Sequence, residues 1–183
     1  MKTLQKSEIL EKIFDKPPLV AFRRDKNIQD ILVHKKHNNT FYRKENGCKK
    51  CGKNCALCKH LIETETFFGR DDKEYNIKGQ ISCQTVGIIY SVVCQKCEKV
   101  MYVGQTGDTF YQRMLLDFSM IRTKKQETVA RHFYTEGHTL GDFKVVGIEK
   151  VFGEETYRKV REAFWIKKLR TLAPEGLNRQ LDL

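Results

Sequence analysis

The stretch that decides the fold is GIIYSVVCQKCEKVMYVG, residues 87–104. Residues 86–93 and 99–103 are rich in β-branched and aromatic side chains, a composition that predicts two short strands. Between these strands lie Cys94 and Cys97, a Cys-x-x-Cys turn of the kind that binds a metal ion at the tip of a hairpin. The alternative interpretation is an ordinary core hairpin with two buried tyrosines and two inert thiols.

The same hairpin resembles the two-part signature of the GIY-YIG nuclease superfamily. Residues 87–90 (GIIY) match its first half and residues 102–104 (YVG) match its second half. Arg113 and Glu162 follow on two predicted helices, where the superfamily carries its arginine and its metal-binding glutamate. The cysteines between the two halves are similar to those of the endonuclease module of Penelope-like retroelements. The resemblance covers residues 51–178.

This resemblance implies both a fold and an activity. The fold is α+β, with a small three-stranded antiparallel sheet flanked by helices. The activity is a metal-dependent endonuclease that nicks target DNA, so that a covalently fused reverse transcriptase primes on the exposed 3′ end. Mg²⁺ is the implied catalytic ion, with Mn²⁺ as a substitute, and the implied partners are the target DNA and an RNA template.

The resemblance also assigns roles to individual side chains. Tyr90 positions or deprotonates the attacking water, and Tyr102 orients the scissile phosphate or the water network. Arg113 grips the phosphate with its planar fork of N–H donors. Glu162 binds the Mg²⁺ ion, and Asn178 lines the site.

Asp117 departs from the family pattern, because many members carry a histidine one turn after the arginine. A carboxylate there can accept a proton, bind metal or merely neutralise Arg113 four residues earlier on the helix. For Glu162, the alternative to a metal-binding role is an ion pair with Arg158, one turn before it.

Seven cysteines dominate the chemistry of the chain, and five of them precede the hairpin. Tight Cys-x2–4-Cys turns supply the ligands of tetrahedral zinc with little strain. Five thiols for four ligand positions leave one spare. In the retroelement family the cysteines that recur match Cys51, Cys55, Cys58 and Cys83, with Cys48 more variable. The alternative is a set of reduced thiols without metal.

A second zinc site is predicted from Cys94 and Cys97 together with His132 and His138. The two histidines lie in a His-x5-His arrangement, and a helix end followed by Gly137 can bring both imidazoles together. The retroelement branch of the family carries such a Cys-Cys-His-His set. With four protein ligands each, both zinc sites are expected to be structural.

Charge divides the chain unevenly. Residues 1–60 hold 15 Lys/Arg and 6 Asp/Glu, a balance of +9, whereas the remaining residues hold 19 and 17, a balance of +2. We expect a basic arm over residues 1–46, a cysteine-rich zinc-binding linker over 47–85 and the nuclease domain over 86–183. The arm is expected to meet a polyanion through its phosphates; the alternative is a solvated basic linker.

The sequence shows neither a membrane span nor a signal peptide. No apolar run is long enough for a membrane span, and the first residues lack the apolar core of a signal peptide. The chain is therefore expected to be intracellular, and nuclear if it acts on DNA, with no membrane partner.

The main alternative to an active endonuclease is a decayed, zinc-stabilised module that only binds DNA or RNA, and Asp117 is the best support for it. A repair or homing endonuclease is a third class that the cysteine pattern disfavours.

The remaining segments are assigned by periodicity. Helices are predicted over 3–14, 110–121, 128–136 and 154–172, a strand over 143–152, and one or two strands over 66–81. The helix over 110–121 is expected to bury Phe110, Met114, Leu115, Phe118 and Ile121. The helix over 154–172 is expected to bury Tyr157, Val160, Phe164, Trp165 and Leu169.

Overall fold

Three antiparallel strands form the central sheet, and the first strand of the predicted hairpin is the middle one. The structure, a computed structural model, describes residues 46–135 and 137–179. Its strands are β1 (Gly47–Lys49), β2 (Thr66–Phe68), β3 (Glu74–Asn76), β4 (Gln80–Ser82), β5 (Val86–Cys94), β6 (Lys99–Thr109) and β7 (Phe143–Lys150). Its α-helices are α1 (Phe110–Arg122), α2 (Thr128–His132) and α3 (Glu155–Leu169).

The sheet has the order β6-β5-β7, with β5 antiparallel to both neighbours. The prediction of a small three-stranded antiparallel sheet with flanking helices is therefore confirmed. Strand β5, including Ser91 in its middle, is buried along nearly its whole length because both of its faces are covered. Strand β6 continues six residues beyond the predicted end at Val103.

The cysteine-rich segment packs onto the outer edge of the sheet. Strand β1 pairs in parallel with β4, and β2 and β3 form a hairpin around residues 69–73. The N–H groups of Ile62 and Lys78 donate to the carbonyl oxygens of Val145 and Ile148 in β7, at 2.9 and 3.0 Å. These bonds satisfy backbone groups that an exposed edge strand would leave unpaired.

Helix α1 starts directly from the end of β6. Thr109 caps it, and the side chains of Thr109 and Gln112 form a capping box. Two further N–H groups of its first turn, from Phe110 and Tyr111, donate to the carbonyl oxygens of Thr85 and Cys83 at 2.9 and 2.8 Å. The start of α1 is thus fixed by the segment that carries Cys83.

The predicted apolar faces of the two long helices are partly wrong. Leu115 of α1 is exposed, as are Tyr157, Val160 and Phe164 of α3. Helix α3 instead buries Ala163, Trp165, Ile166 and Leu169 against the sheet. Both helices contain consecutive apolar residues, and these fit more than one buried stripe. The periodicity of the sequence therefore does not determine which apolar residues face the core.

Three elements end earlier than predicted: α2 at His132, β7 at Lys150 and α3 at Leu169. The predicted helix over 3–14 and the basic arm, apart from Asn46, lie outside the described residues. Among the described helices, none combines the length and the apolarity that a membrane span requires.

Candidate metal centres and catalytic cleft

The first metal centre brings together the four thiols expected from the resemblance. The Sγ atoms of Cys51, Cys55 and Cys58 lie 3.5–3.6 Å from one another, and Cys83 Sγ lies 3.7 Å from Cys58 Sγ. A tetrahedron with zinc–sulfur bonds of about 2.3 Å has edges of about 3.8 Å. The observed spacing therefore fits zinc, and this group could bind it.

Cys48 is excluded from this centre by its surroundings. It lies in β1, fully buried, and its Sγ accepts a hydrogen bond from the Gly147 N–H at 3.4 Å. Burial raises the pKa of the Cys48 thiol to about 11, so it stays protonated and behaves as a small core side chain. By contrast, a hydrogen bond from the backbone of Lys53 lowers the pKa of Cys51 to about 6. This lowered pKa favours the thiolate of Cys51, the form that binds metal.

The second metal centre joins the hairpin tip to the end of α2. Cys94, Cys97, His132 and His138 each place a ligand atom within 4.8 Å of all the others. Cys97 Sγ lies 3.7 Å from His132 Nε2 and 3.3 Å from His138 Nε2. Zinc with two sulfur and two nitrogen ligands separates such atoms by about 3.5 Å, so this group could also bind zinc.

Neighbouring backbone groups orient these ligands. His138 Nδ1 lies 3.2 Å from the carbonyl oxygen of Thr135, so its N–H donates there and Nε2 keeps its lone pair for a metal. The Cys97 N–H donates to Cys94 Sγ at 3.5 Å, a bond that holds the tight turn. Gly137 adopts the left-handed conformation, with φ of 72°, and so turns the chain from α2 back to His138.

The candidate catalytic cleft begins with the two tyrosines of the hairpin. In the register of β5 and β6, Tyr90 lies opposite Gly104 and Val92 lies opposite Tyr102. The tyrosines are therefore diagonal neighbours on one face, with ring centroids 6.4 Å apart. A Cβ atom at Gly104 would lie 2.7 Å from both tyrosine side chains, so only glycine leaves them room.

Tyr90, Arg113 and Asp117 form a buried network. Arg113 Nε donates to the Tyr90 hydroxyl at 2.8 Å, and Arg113 Nη2 lies 3.1 Å from Asp117 Oδ1. The ion pair expected as the alternative role of Asp117 is thus present. The Arg113–Asp117 pair lies beside Tyr90 because β6 pairs with β5, which carries Tyr90, and α1 begins directly after β6.

Protonation states in this network differ sharply. Burial raises the pKa of Asp117 to about 6, although Arg113 and a hydrogen bond with Tyr90 oppose the shift. Burial raises the pKa of Tyr90 well above its usual value. Burial alone would lower the pKa of Arg113, but Tyr90 and Asp117 raise it overall. Asp117 is therefore the member of the network that changes its protonation near neutral pH.

Two adjoining cavities, of about 260 and 440 Å³, form the cleft. Tyr102, Glu127 and Thr128 line both of them. The smaller cavity also reaches Arg113 and Asp117, and the larger one reaches Glu162, Asn178 and Arg179. The structure therefore gathers around this cleft every catalytic residue expected from the sequence, with Tyr90 joined to it through Arg113.

Glu127 is a cleft residue that the sequence did not reveal. It immediately precedes α2, and it lines both cavities. Its position depends on the packing of α2 against α1, a contact between elements that no local pattern of residues reports. An isolated glutamate before a short helix looks like an ordinary helix start.

Helix α3 is held in place by a buried carboxylate that sequence reasoning also missed. Glu149 of β7 accepts hydrogen bonds from Arg161 at 3.0 and 2.7 Å and from the Trp165 indole at 2.6 Å. These donors flank Glu162 in the sequence, so the contact fixes the rotation of α3 about its axis. That rotation directs Glu162 to the cleft. Arg158, the predicted alternative partner of Glu162, donates to Gln105 Oε1 at 3.2 Å.

Asn178 is at the cleft, but its amide is used to support β6. Its Nδ2 donates to the Val103 carbonyl at 2.8 Å, and its Oδ1 accepts from the Val103 N–H at 3.0 Å. Both amide groups thus pair with the backbone residue next to Tyr102. The C-terminal turn thereby covers the outer edge of β6 and fixes the position of Tyr102.

Comparison with known proteins adds no assignment. No family model, curated protein or solved structure matches the chain. The resemblance to the GIY-YIG superfamily therefore stays a prediction.

Proposed function

We propose that this chain is a metal-dependent DNA endonuclease that hydrolyses phosphodiester bonds. One observation carries the proposal: the buried Tyr90–Arg113–Asp117 network borders a cleft that Tyr102 and Glu162 also line. Phosphodiester hydrolysis needs a proton acceptor, cations for the phosphoryl oxygens and help for the leaving oxygen. The cleft contains a side chain suited to each task.

Asp117 is the proton acceptor in this mechanism. With a pKa raised to about 6 by burial, it is ionised at neutral pH and can still take up a proton readily. Tyr90 is less suited to act as a base itself, because burial raises its pKa. Tyr90, which accepts a hydrogen bond from Arg113, instead helps to orient the water. The proton of that water passes to Asp117, which lines the smaller cavity.

Arg113 binds the phosphate. Its Nε and one Nη2 hydrogen are used by Tyr90 and Asp117, which lock the guanidinium plane. The Nη1 hydrogens are left for a phosphoryl oxygen. Because Tyr90 and Asp117 raise the pKa of Arg113, the side chain stays charged throughout the reaction.

Glu162 and Glu127 are the side chains that would hold Mg²⁺, or Mn²⁺ in its place. Both line the larger cavity, and one or two carboxylates are the usual protein ligands of Mg²⁺. When bound, the ion would neutralise charge that develops on the phosphoryl and leaving oxygens. Tyr102, which lies between the two cavities, orients the phosphate.

The two zinc centres serve the cleft indirectly. The first ties Cys83, whose carbonyl holds the first turn of α1, to the Cys51–Cys58 turn. The second ties the tip of the β5–β6 hairpin to α2, which carries Glu127 at its start. Both centres are closed by four protein ligands, so zinc is structural in this proposal.

The cysteine arrangement further favours a retroelement setting for the activity. In that setting, the chain nicks target DNA in the nucleus to supply a 3′ end for a fused reverse transcriptase acting on an RNA template. The second candidate function is a zinc-stabilised module that binds nucleic acid without cutting it. It is favoured by the Arg113–Asp117 ion pair, which partly neutralises the phosphate-binding cation.

Plasmid nicking separates the two functions. Full-length protein incubated with supercoiled plasmid and Mg²⁺ or Mn²⁺ should produce nicked circles, whereas Glu162→Ala should produce none. The variant should keep two zinc ions and its melting temperature. Glu155→Ala is the matched control, because Glu155 is exposed on the same helix and pairs with Lys159. Wild-type protein that leaves plasmid intact with every divalent ion would favour the binding module.

A further inference from the structure

The outward face of α3 carries an apolar stripe that the described part of the chain leaves exposed. Tyr157, Val160 and Phe164 are 54%, 49% and 41% exposed. Their spacing of three and four residues places them on one ridge of the helix. The buried face of α3, which includes Trp165 and Leu169, packs against the sheet. The stripe is therefore a second apolar face of the same helix.

Cations hold the aromatic part of this stripe in place. The Arg161 guanidinium lies 4.5 Å from the centre of the Phe164 ring, and Lys168 Nζ lies 5.2 Å from it. Arg161 is itself neutralised by Glu149. Tyrosine, phenylalanine and arginine fixed in this way are the residue types that dominate protein interfaces.

The charges that flank the stripe differ between its two ends. At 100° per residue, Glu154 lies beside the stripe at its N-terminal end, and Lys167 and Lys168 lie beside it at its C-terminal end. A second α3 laid antiparallel on the first would therefore bring Glu154 of one helix close to these lysines of the other, at both ends. A parallel arrangement would face like charges with each other.

We propose that the stripe binds the same stripe of a second copy of this chain, antiparallel, across a two-fold axis near Val160. In this register Tyr157 packs against Phe164 of the partner subunit, and Lys168 faces Glu154 of the partner subunit. An isologous contact of this kind uses one patch twice and closes as a dimer.

The pairing leaves the candidate cleft of each subunit accessible. At 100° per residue, Glu162 points about 160° away from Phe164 around the helix. The two clefts thus lie on the far sides of the paired helices. One helix pair of about 22 Å buries less than a standard interface, so the dimer is expected to be weak, with a Kd in the micromolar range.

Sedimentation equilibrium of the full chain at about 2–200 µM tests the proposal without any reference to nuclease activity. Wild type should associate to a dimer. Val160→Glu should remain monomeric, whereas Leu116→Glu should associate like wild type, since Leu116 is an equally exposed apolar residue on α1. Circular dichroism verifies that each variant is folded. A monomeric wild type at about 200 µM would overturn the proposal, as would a dimeric Val160→Glu.

Charge reversal tests the antiparallel register. Lys168→Glu and Glu154→Lys should each raise the Kd at least fivefold, and the double variant should return within about twofold of wild type. A double variant as weak as the single ones would overturn the register. A monomeric chain whose binding of single-stranded DNA falls with Tyr157→Ala would assign the stripe to nucleic acid and overturn the dimer.

Discussion

The two candidate metal centres and the candidate catalytic cleft are assembled in different ways. In the first centre, three of four ligands come from one turn, Cys51 to Cys58, and in the second each pair of ligands comes from one local segment. The cleft draws its side chains from β6, α1, the residue before α2, α3 and the C-terminal turn. The ligands of each candidate metal centre are thus mostly close neighbours along the chain, whereas the cleft forms only once the whole domain has folded.

This difference predicts that the two kinds of site can be damaged separately. Loss of a metal ligand should lower the free energy of unfolding, and activity should fall only as a consequence. Loss of a cleft side chain should cost activity while the fold and zinc content stay intact. Four substitutions, in order of expected effect, test that separation.

The largest effect is expected for Cys94→Ser, which removes a ligand at the hairpin tip. The variant should contain one zinc ion instead of two, measured by elemental analysis of protein purified without added metal. Its free energy of unfolding should fall by roughly 3–5 kcal/mol, part of the about 10–16 kcal/mol that a structural zinc site supplies. The melting temperature should fall by roughly 10 °C.

Cys48→Ser is the control for this prediction. Cys48 is a buried thiol outside both metal centres, and a serine hydroxyl can still accept the Gly147 hydrogen bond. Zinc content should stay at two, with a thermal shift clearly smaller than that of Cys94→Ser. Equal shifts and equal zinc losses in the two variants would contradict the ligand assignment.

The next effect is expected for Asp117→Asn, which keeps the size of the side chain and removes its charge. If Asp117 accepts the proton, nicking should slow by roughly 10²-fold or more. The wild-type rate should also rise with pH through about 6, the pKa of the buried carboxyl, and the variant should lose this rise. A variant that nicks at full speed would reduce Asp117 to the ion partner of Arg113.

Stability of the same variant checks the raised pKa independently. Because burial raises the pKa of Asp117 in the folded state, its contribution to stability is present at low pH and is lost as pH rises through about 6. The melting temperature of wild type should therefore fall relative to that of Asp117→Asn between about pH 4 and 6, from the ordinary pKa of 3.8 to the raised one. A constant difference over this range would mean that the carboxyl titrates elsewhere.

A smaller effect is expected for Gly104→Ala, which changes no functional group. The added Cβ would lie 2.7 Å from the rings of Tyr90 and Tyr102 and must displace them. Overpacking of this kind costs about 1–3 kcal/mol. Nicking should slow about tenfold while zinc content stays at two. Gly141→Ala, in an exposed turn, is the control and should leave the rate unchanged, and equal rates in both variants would argue against positioning by the hairpin.

The sequence predicts some of these features and misses others for identifiable physical reasons. Cys51, Cys55 and Cys58 lie so close along the chain that thiol chemistry alone indicates a metal. The hairpin strands are visible in their β-branched residues, although the end of β6 is not. The sequence does not indicate which face of α3 is buried, because the exposed Tyr157 and Phe164 are as apolar as the residues that pack against the sheet.

The cleft residues divide in the same way. Arg113 and Glu162 were identified through a resemblance, not through any local physical signal. The use of Asn178 as a backbone partner of Val103 depends on how the C-terminal turn meets β6, which no spacing reports. Glu149, which orients α3, looks in the sequence like any polar residue in a strand.

The smallest effect is expected for Glu127→Gln, the test of the one cleft carboxylate that the sequence did not indicate. Glu127 lines both cavities but is exposed, so it should support the binding of Mg²⁺ less than Glu162 does. The Mg²⁺ concentration for half-maximal nicking should rise about three- to tenfold, with the rate at saturating Mg²⁺ within about twofold of wild type. Glu175→Gln, exposed in the C-terminal turn, should change neither value. An unchanged Mg²⁺ requirement in Glu127→Gln would leave Glu162 as the sole carboxylate for the ion. A total loss of nicking would instead rank Glu127 with Glu162, and the start of α2, which the second metal centre anchors, would then be part of the catalytic machinery.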